Sequence, residues 1–121
     1  MTNYWIVGAT VCNQDLSDYF IKHGFWFADK DTAQPEIAKI QKGDRIAIKK
    51  MRGSGATTVD IKVIGVVSDI GVFDSMDFRM VFVNWIDLRG EERQAPFSGW
   101  AGTIHGPYGS DNNVVASVFG L

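Results

Sequence analysis

The chain has 121 residues, 45% of them hydrophobic and 21% charged, values of one globular domain over residues 1–121 rather than of a disordered segment. Its 12 Lys and Arg stand against 14 Asp and Glu, a net charge of −2, which excludes nucleic-acid binding through bulk charge but leaves room for a local basic groove. The single cysteine, Cys12, excludes an intramolecular disulfide and suits a reducing compartment. No apolar run approaches the ~20 residues of a membrane span, and the first residues lack the basic start of a signal peptide. A cytoplasmic protein with no membrane partner is expected.

Residues 4–10, YWIVGAT, form an apolar run of strand length bounded by polar residues. Asn13, Gln14 and Asp15 offer cap chemistry ahead of a helix over 16–23, where Leu16, Tyr19, Phe20 and His23 recur at i, i+3, i+4 and i+7. Gly24 stops it. Pro35 opens a second short helix over 36–41. Lys42-Gly43-Asp44 is a turn, and 45–49 (RIAIK) alternates polar and apolar as a half-buried strand does. The loop 50–55 leads into a β-branched strand over 58–68, and Phe78–Ile86 forms another. Residues 89–93 resemble a polar hairpin. The glycine-rich last quarter is irregular until 114–119, a closing element of either type. The sum is an α+β domain of about five or six strands curled into a barrel, with two or three short flanking helices.

Signals for catalysis are thin. His23 and His105 stand in no metal-ligand spacing, and no cofactor is expected. Cys12 with either histidine is the one nucleophile–base pairing on offer, but no local signature supports it, and a small core-facing thiol is the preferred reading. The Gly53–Gly55 segment lacks the Lys-Ser/Thr of a phosphate loop. Asp15/Asp18 and Glu91/Glu92 occupy cap and turn contexts. A non-enzymatic recognition module is the expectation.

Aromatic residues are richer: 4 Trp, 8 Phe and 3 Tyr. Trp5 and Trp85 lie inside strands and are expected to pack. Trp26, between Phe25 and Phe27 after a glycine stop, is expected near a surface or pocket wall. Trp100, flanked by Gly99 and Ala101-Gly102, either plugs the barrel end or belongs to a site. Lys49, Lys50 and Arg52 form a local basic cluster with no acid between Arg45 and Asp60. Rings that stack on a base beside cations that follow phosphates would make a nucleic-acid reader.

In order, YWIVGAT, the helix followed by GFW, GDRIAIK (Gly43 to Lys49), DIKVIGVV, VFVNWIDL and GTIHGP (Gly102 to Pro107) resemble the YTH/EVE-type domains of the PUA-like superfamily. The similarity extends to the DNA-reading domain of McrB-like modification-dependent restriction NTPases. That resemblance implies a curled barrel holding a flipped, methylated DNA base in an aromatic cage. By position it implies base contacts from Trp26, Ala9, Thr10, Phe73 (where the family has Trp) and His105; Trp100, read from its flanking glycines, joins them as a candidate base contact. Phosphate contacts fall to Lys49, Lys50 and Arg52. As partners it implies modified DNA or else RNA, with an NTPase domain C-terminal to this segment. The alternatives are an RNA reader, a small-molecule or protein-interaction module without a working cage, and an enzyme using Cys12 or His105.

Overall fold

The computed structural model describes residues 2–28, 36–53, 55–76, 78–86, 88, 93–96 and 102–120. The apolar run at the start becomes β1, Tyr4–Gly8, buried from Tyr4 through Val7. It lies parallel to β5, Arg45–Met51, on one side and antiparallel to β9, Ile104–Tyr108, on the other. A long strand, β6 (Thr58–Phe73), pairs with β5 along one edge. Its other edge is shared by β8 (Arg93–Pro96) at the start and β7 (Phe78–Ile86) over the remainder. The two-residue strand β4, Phe25–Trp26, adds to β7. A separate hairpin joins β2 (Thr10–Val11) to β3 (Gln14–Asp15), and the helices are α1 (Ser17–His23) and α2 (Asn113–Phe119). Single 3₁₀ turns occupy Glu36–Lys39 and Asp74–Met76.

Both faces of this sheet are covered. One core gathers Trp5, Val7, Ile46, Ile48, Val63 and Val67 against Phe20 of α1 and Trp26 of β4. The other gathers Ile6, Ala47, Val59, Ile61 and Ile64 against Val118 of α2 and Ala95 of β8. Burial on both faces explains why the central strands are continuously buried. The alternation at 45–49 predicts a half-buried strand, yet Ala47 is buried like its neighbours and so is Lys49. The reason is the second layer, which residues 93–96 and 113–119 place over the face expected to meet solvent.

Two register shifts decide which residues of β6 face which core. Ile48 pairs with Val63 but Lys49 with Ile61, so the strand carries one extra residue there. A second shift separates Val67 from Asp69. Side chains alternate faces along a strand, and each extra residue inverts the alternation. Val59 and Ile61 therefore belong to one core while Val63 and Val67 belong to the other, and Ile70 stays with the latter after the second shift.

These observations correct the expected architecture. The strand order is β4-β7-β6-β5-β1-β9, with β8 branching from β6. Its ends, β4 and β9, do not pair with each other among the described residues. The α+β class holds, but the sheet is an open, mixed, seven-stranded one and not a curled barrel. Two helices cover its apolar faces, so closure is not needed to bury them. The PUA-like, YTH/EVE-type resemblance falls with the barrel. So do the McrB-like restriction assignment and the base flipping that rested on it.

The local elements follow their chemistry. Gly24 closes α1 at φ 76°, its N–H donating to the Phe20 carbonyl. The expected helix face is rotated: Ser17 and Phe20 are buried, whereas Tyr19 and His23 face outward and pack on the ring of Phe25. The closing element is a helix, capped by Asn112, whose side chain accepts from the N–H groups of Val114 and Val115 at 3.0 Å. The second expected helix shrinks to the 3₁₀ turn, with Pro35 outside the described residues. Asp44 ties three segments together: its carboxylate accepts from Trp5 Nε1 (3.0 Å), Gln41 N (3.0 Å) and Asn3 N (3.2 Å).

Candidate functional site

Parallel β1 and β5 end side by side, Gly8 opposite Lys49. Where parallel strands stop, the departing chains diverge and leave a crevice beyond their carboxyl ends. Here that crevice is a cavity of about 350 Å³. Its walls come from the end of β1 and the β2–β3 hairpin (Gly8, Ala9, Thr10, Asp15), from Ser17 of α1, from Lys49, Lys50 and Met51, and from Gly102 and Thr103 before β9. The Gly8 N–H donates to the Thr103 carbonyl at 2.7 Å, which fastens the β9 approach to the end of β1.

The hairpin over the cavity turns through Cys12 (φ 50°) and Asn13 (φ 65°). Two consecutive left-handed residues make the turn whose twist matches paired strands, although cysteine enters that region reluctantly. The turn brings Asp15 back opposite Thr10. One Asp15 oxygen accepts from Ser17 N at 2.9 Å, and the other lies 3.7 Å from Lys50 Nζ. Hydrogen bonds from Ser17 hold the Asp15 carboxyl below its ordinary range; the Lys50 charge assists and burial opposes.

Lys49 differs from its neighbours. It is 6% exposed, and its ammonium has a long contact with Met51 Sδ at 3.7 Å. Among the described residues no carboxylate lies within ion-pair distance of it. Burial pushes its pKa down from 10.5 to about 8. Nearby, His105 Nε2–H donates to the Gly102 carbonyl at 3.0 Å. Burial lowers the His105 pKa, the Gly102 contact opposes that, and the Lys49 charge adds to it. Lys50 is matched by Asp15, and Arg52 by Asp60 at 3.9 Å. The uncompensated charge at the cavity is therefore that of Lys49.

Ala9, Thr10, Lys49 and Lys50, nominated from the sequence, meet in this one cavity. His105 stands beside it, and Arg52 lies on the exposed continuation of β5. Trp26 does not face a ligand. It is 0% exposed, and its Nε1 donates to the Gly8 carbonyl at 2.8 Å, bracing the strand end from behind. A ring with no exposed face cannot stack on a base, so the expected cage is corrected. Phe73 pairs with Phe78 at the far end of β6. It lies 12 residues beyond Ile61, the partner of Lys49, on the order of 30–40 Å along a strand. Trp100 lies outside the described residues. Cys12 is exposed at the hairpin turn and not in the core. His23 packs with Tyr19 and Phe25. Trp5 and Trp85 do pack, the latter donating to the Phe20 carbonyl at 3.0 Å.

Sequence reasoning missed Asp15, Ser17 and Thr103 as cavity residues. Asp15 carried a signal, but as cap chemistry: Leu16 holds the N-cap position, and Asp15, one residue earlier, accepts from the Ser17 N–H that opens the helix. Among the described residues no group of three or more His, Cys, Asp and Glu could hold a metal ion, and no helix is long and apolar enough to cross a membrane. Compared with protein-family models, with curated proteins and with solved structures, the chain matches none.

Proposed function

We propose that this domain is a binding module whose cavity takes a small molecule carrying one anionic group, with Lys49 as the counter-charge. The observation that carries the reading is the burial of Lys49 on a cavity wall without a carboxylate partner. Burying a charge is costly unless it is paired, so an ammonium kept there is best explained by an anion arriving from outside. The cavity, about 350 Å³, is at the small end of ligand sites, which run roughly 300–1,000 Å³. Thr10, Ser17 and Thr103 offer polar groups that would orient a bound molecule.

A second reading retains nucleic acid, with one phosphate of a strand in the same place. The exposure of Arg52, just past the end of the strand that carries Lys49 and Lys50, favours it. Against it, Lys50 and Arg52 already face Asp15 and Asp60, so the patch offers one net charge rather than a track. Calorimetric titration with inorganic phosphate, a nucleoside monophosphate and a short unpaired oligonucleotide, each at two salt concentrations, separates the two. Expected are comparable affinities, a salt slope of about one and loss of binding in Lys49→Met. A slope of about three with the oligonucleotide strongly preferred would put the nucleic-acid reading first. A Lys49→Met protein that binds like the wild type would end both.

A further inference from the structure

We propose that Lys49 also captures its ligand covalently, and that the ligand class is a small 2-oxo acid whose ketone forms an imine with Lys49 Nζ. This rests on the anion-site reading above and deepens it. The geometry has three parts. Lys49 is buried but stands on the wall of a cavity open to solvent, so a small carbonyl compound reaches it while bulk water is largely held off. No carboxylate among the described residues is close enough to hold the amine in its protonated form, and burial already favours the neutral amine. A desolvated lysine of this kind is the nucleophile of imine chemistry. Finally, Gly8 carries no side chain beside the amine: a Cβ there would come into van der Waals contact with Lys49 Nζ, at 3.8 Å.

The step balances without a further reactant. The Nζ lone pair bonds to the ketone carbon, and the carbonyl oxygen takes up a proton to give a carbinolamine. The C–O bond then breaks, and the oxygen departs as water. In net terms, ammonium and ketone become a protonated imine and water, with no oxidation or reduction. The positive charge stays on the same nitrogen, and the carboxylate on the adjacent carbon lies against it. This is why a 2-oxo acid suits the site better than a neutral aldehyde. Lys50, partly engaged by Asp15, is the second cation within the cavity walls.

The test uses the intact protein with pyruvate and sodium cyanoborohydride near pH 7.5, followed by peptide mass mapping. Lactate, which has the carboxylate but no carbonyl, serves as the binding control, and calorimetry follows both ligands and inorganic phosphate without reductant. The expected result is a reduced pyruvyl adduct on Lys49, formed at least about tenfold faster than on exposed Lys50 and slowed by lactate. In Lys49→Arg, whose guanidinium forms no imine, no adduct should appear at position 49 while the slow labelling of exposed Lys50 stays as in the wild type. If phosphate and lactate bind but Lys49 is labelled no faster than Lys50, covalent capture is overturned and the anion site stands. If none of the three ligands binds, the anion site fails and takes the imine with it.

Discussion

Replacing Lys49 with methionine should make the protein more stable, which is the reverse of what loss of a structural residue does. The folded pKa of about 8 against the ordinary 10.5 means that, between those values, the unfolded chain holds a proton the folded chain has released. Stability therefore rises with pH across that window, and the penalty of the charged amine is present in full below about pH 8. At about 1.36 kcal/mol per pH unit, the gap sets a ceiling of about 3 kcal/mol. Solvent entering the open side of the cavity screens the charge, leaving about 1–2 kcal/mol. Methionine nearly matches the shape of the lysine stem and carries no charge. Urea unfolding at pH 7 should show the Lys49→Met midpoint raised by about 0.5–1 M, given slopes of about 1–3 kcal/mol per molar. The advantage should shrink as pH rises from 8 towards 10.5. A lower midpoint at pH 7, or an advantage equal at pH 7 and pH 10, would refute the reasoning.

Asp44→Ala removes the acceptor for the buried Trp5 indole and for two backbone N–H groups. With charge-assisted hydrogen bonds at roughly 1.5–3 kcal/mol, the expected loss is about 3 kcal/mol in urea unfolding followed by tryptophan fluorescence; a loss under about 1 kcal/mol would count against the tie. Gly106→Ala meets both a φ of 140° and a Cβ 2.8 Å from the Trp5 ring and 2.9 Å from the Tyr4 carbonyl. Its melting temperature should fall steeply, while Gly8→Ala, whose nearest new neighbour is 3.8 Å away, should melt with the wild type. Cys12→Asn combined with Asn13→Gly installs the residues that the left-handed turn favours. It should stabilise the fold by about 0.5–1 kcal/mol, and a destabilised double variant would show that the left-handed backbone is not what governs residue choice at this turn.

Strands whose burial is local were legible. Tyr4–Gly8 and Phe78–Ile86 emerge where apolar and β-branched residues run together, and α1 emerges from its glycine stop and the polar residues ahead of it. β9 was hidden because IHGPY contains glycine and proline, which argue against a strand interior. An edge strand tolerates them, and β9 ends the sheet. The continuation of β6 to Phe73 was missed because the two register shifts break the alternation by which a strand is recognised. Open sheet versus barrel depends on which distant strands meet, and no local pattern encodes that Arg93–Pro96 and Asn113–Phe119 cover the second face. At the cavity, the basic run drew attention to Lys49 and Lys50. What separates them is a carboxylate 35 residues earlier in the chain, delivered to Lys50 alone by the turn at Cys12 and Asn13.

The position of β1 has a consequence for how the chain must be made. Tyr4–Gly8 is synthesised before both of its partners: the parallel one begins at Arg45 and the antiparallel one only at Ile104. Until β9 arrives, one edge of the most apolar strand presents unpaired N–H and C=O groups, the condition under which strands recruit other chains. A chain stopped before residue 104 would retain the β1–β5 ladder and much of both cores. It would lose the cover over β1, and we expect it to be found in aggregates rather than as a smaller soluble domain. β9 thus acts within the chain as a chaperone for β1.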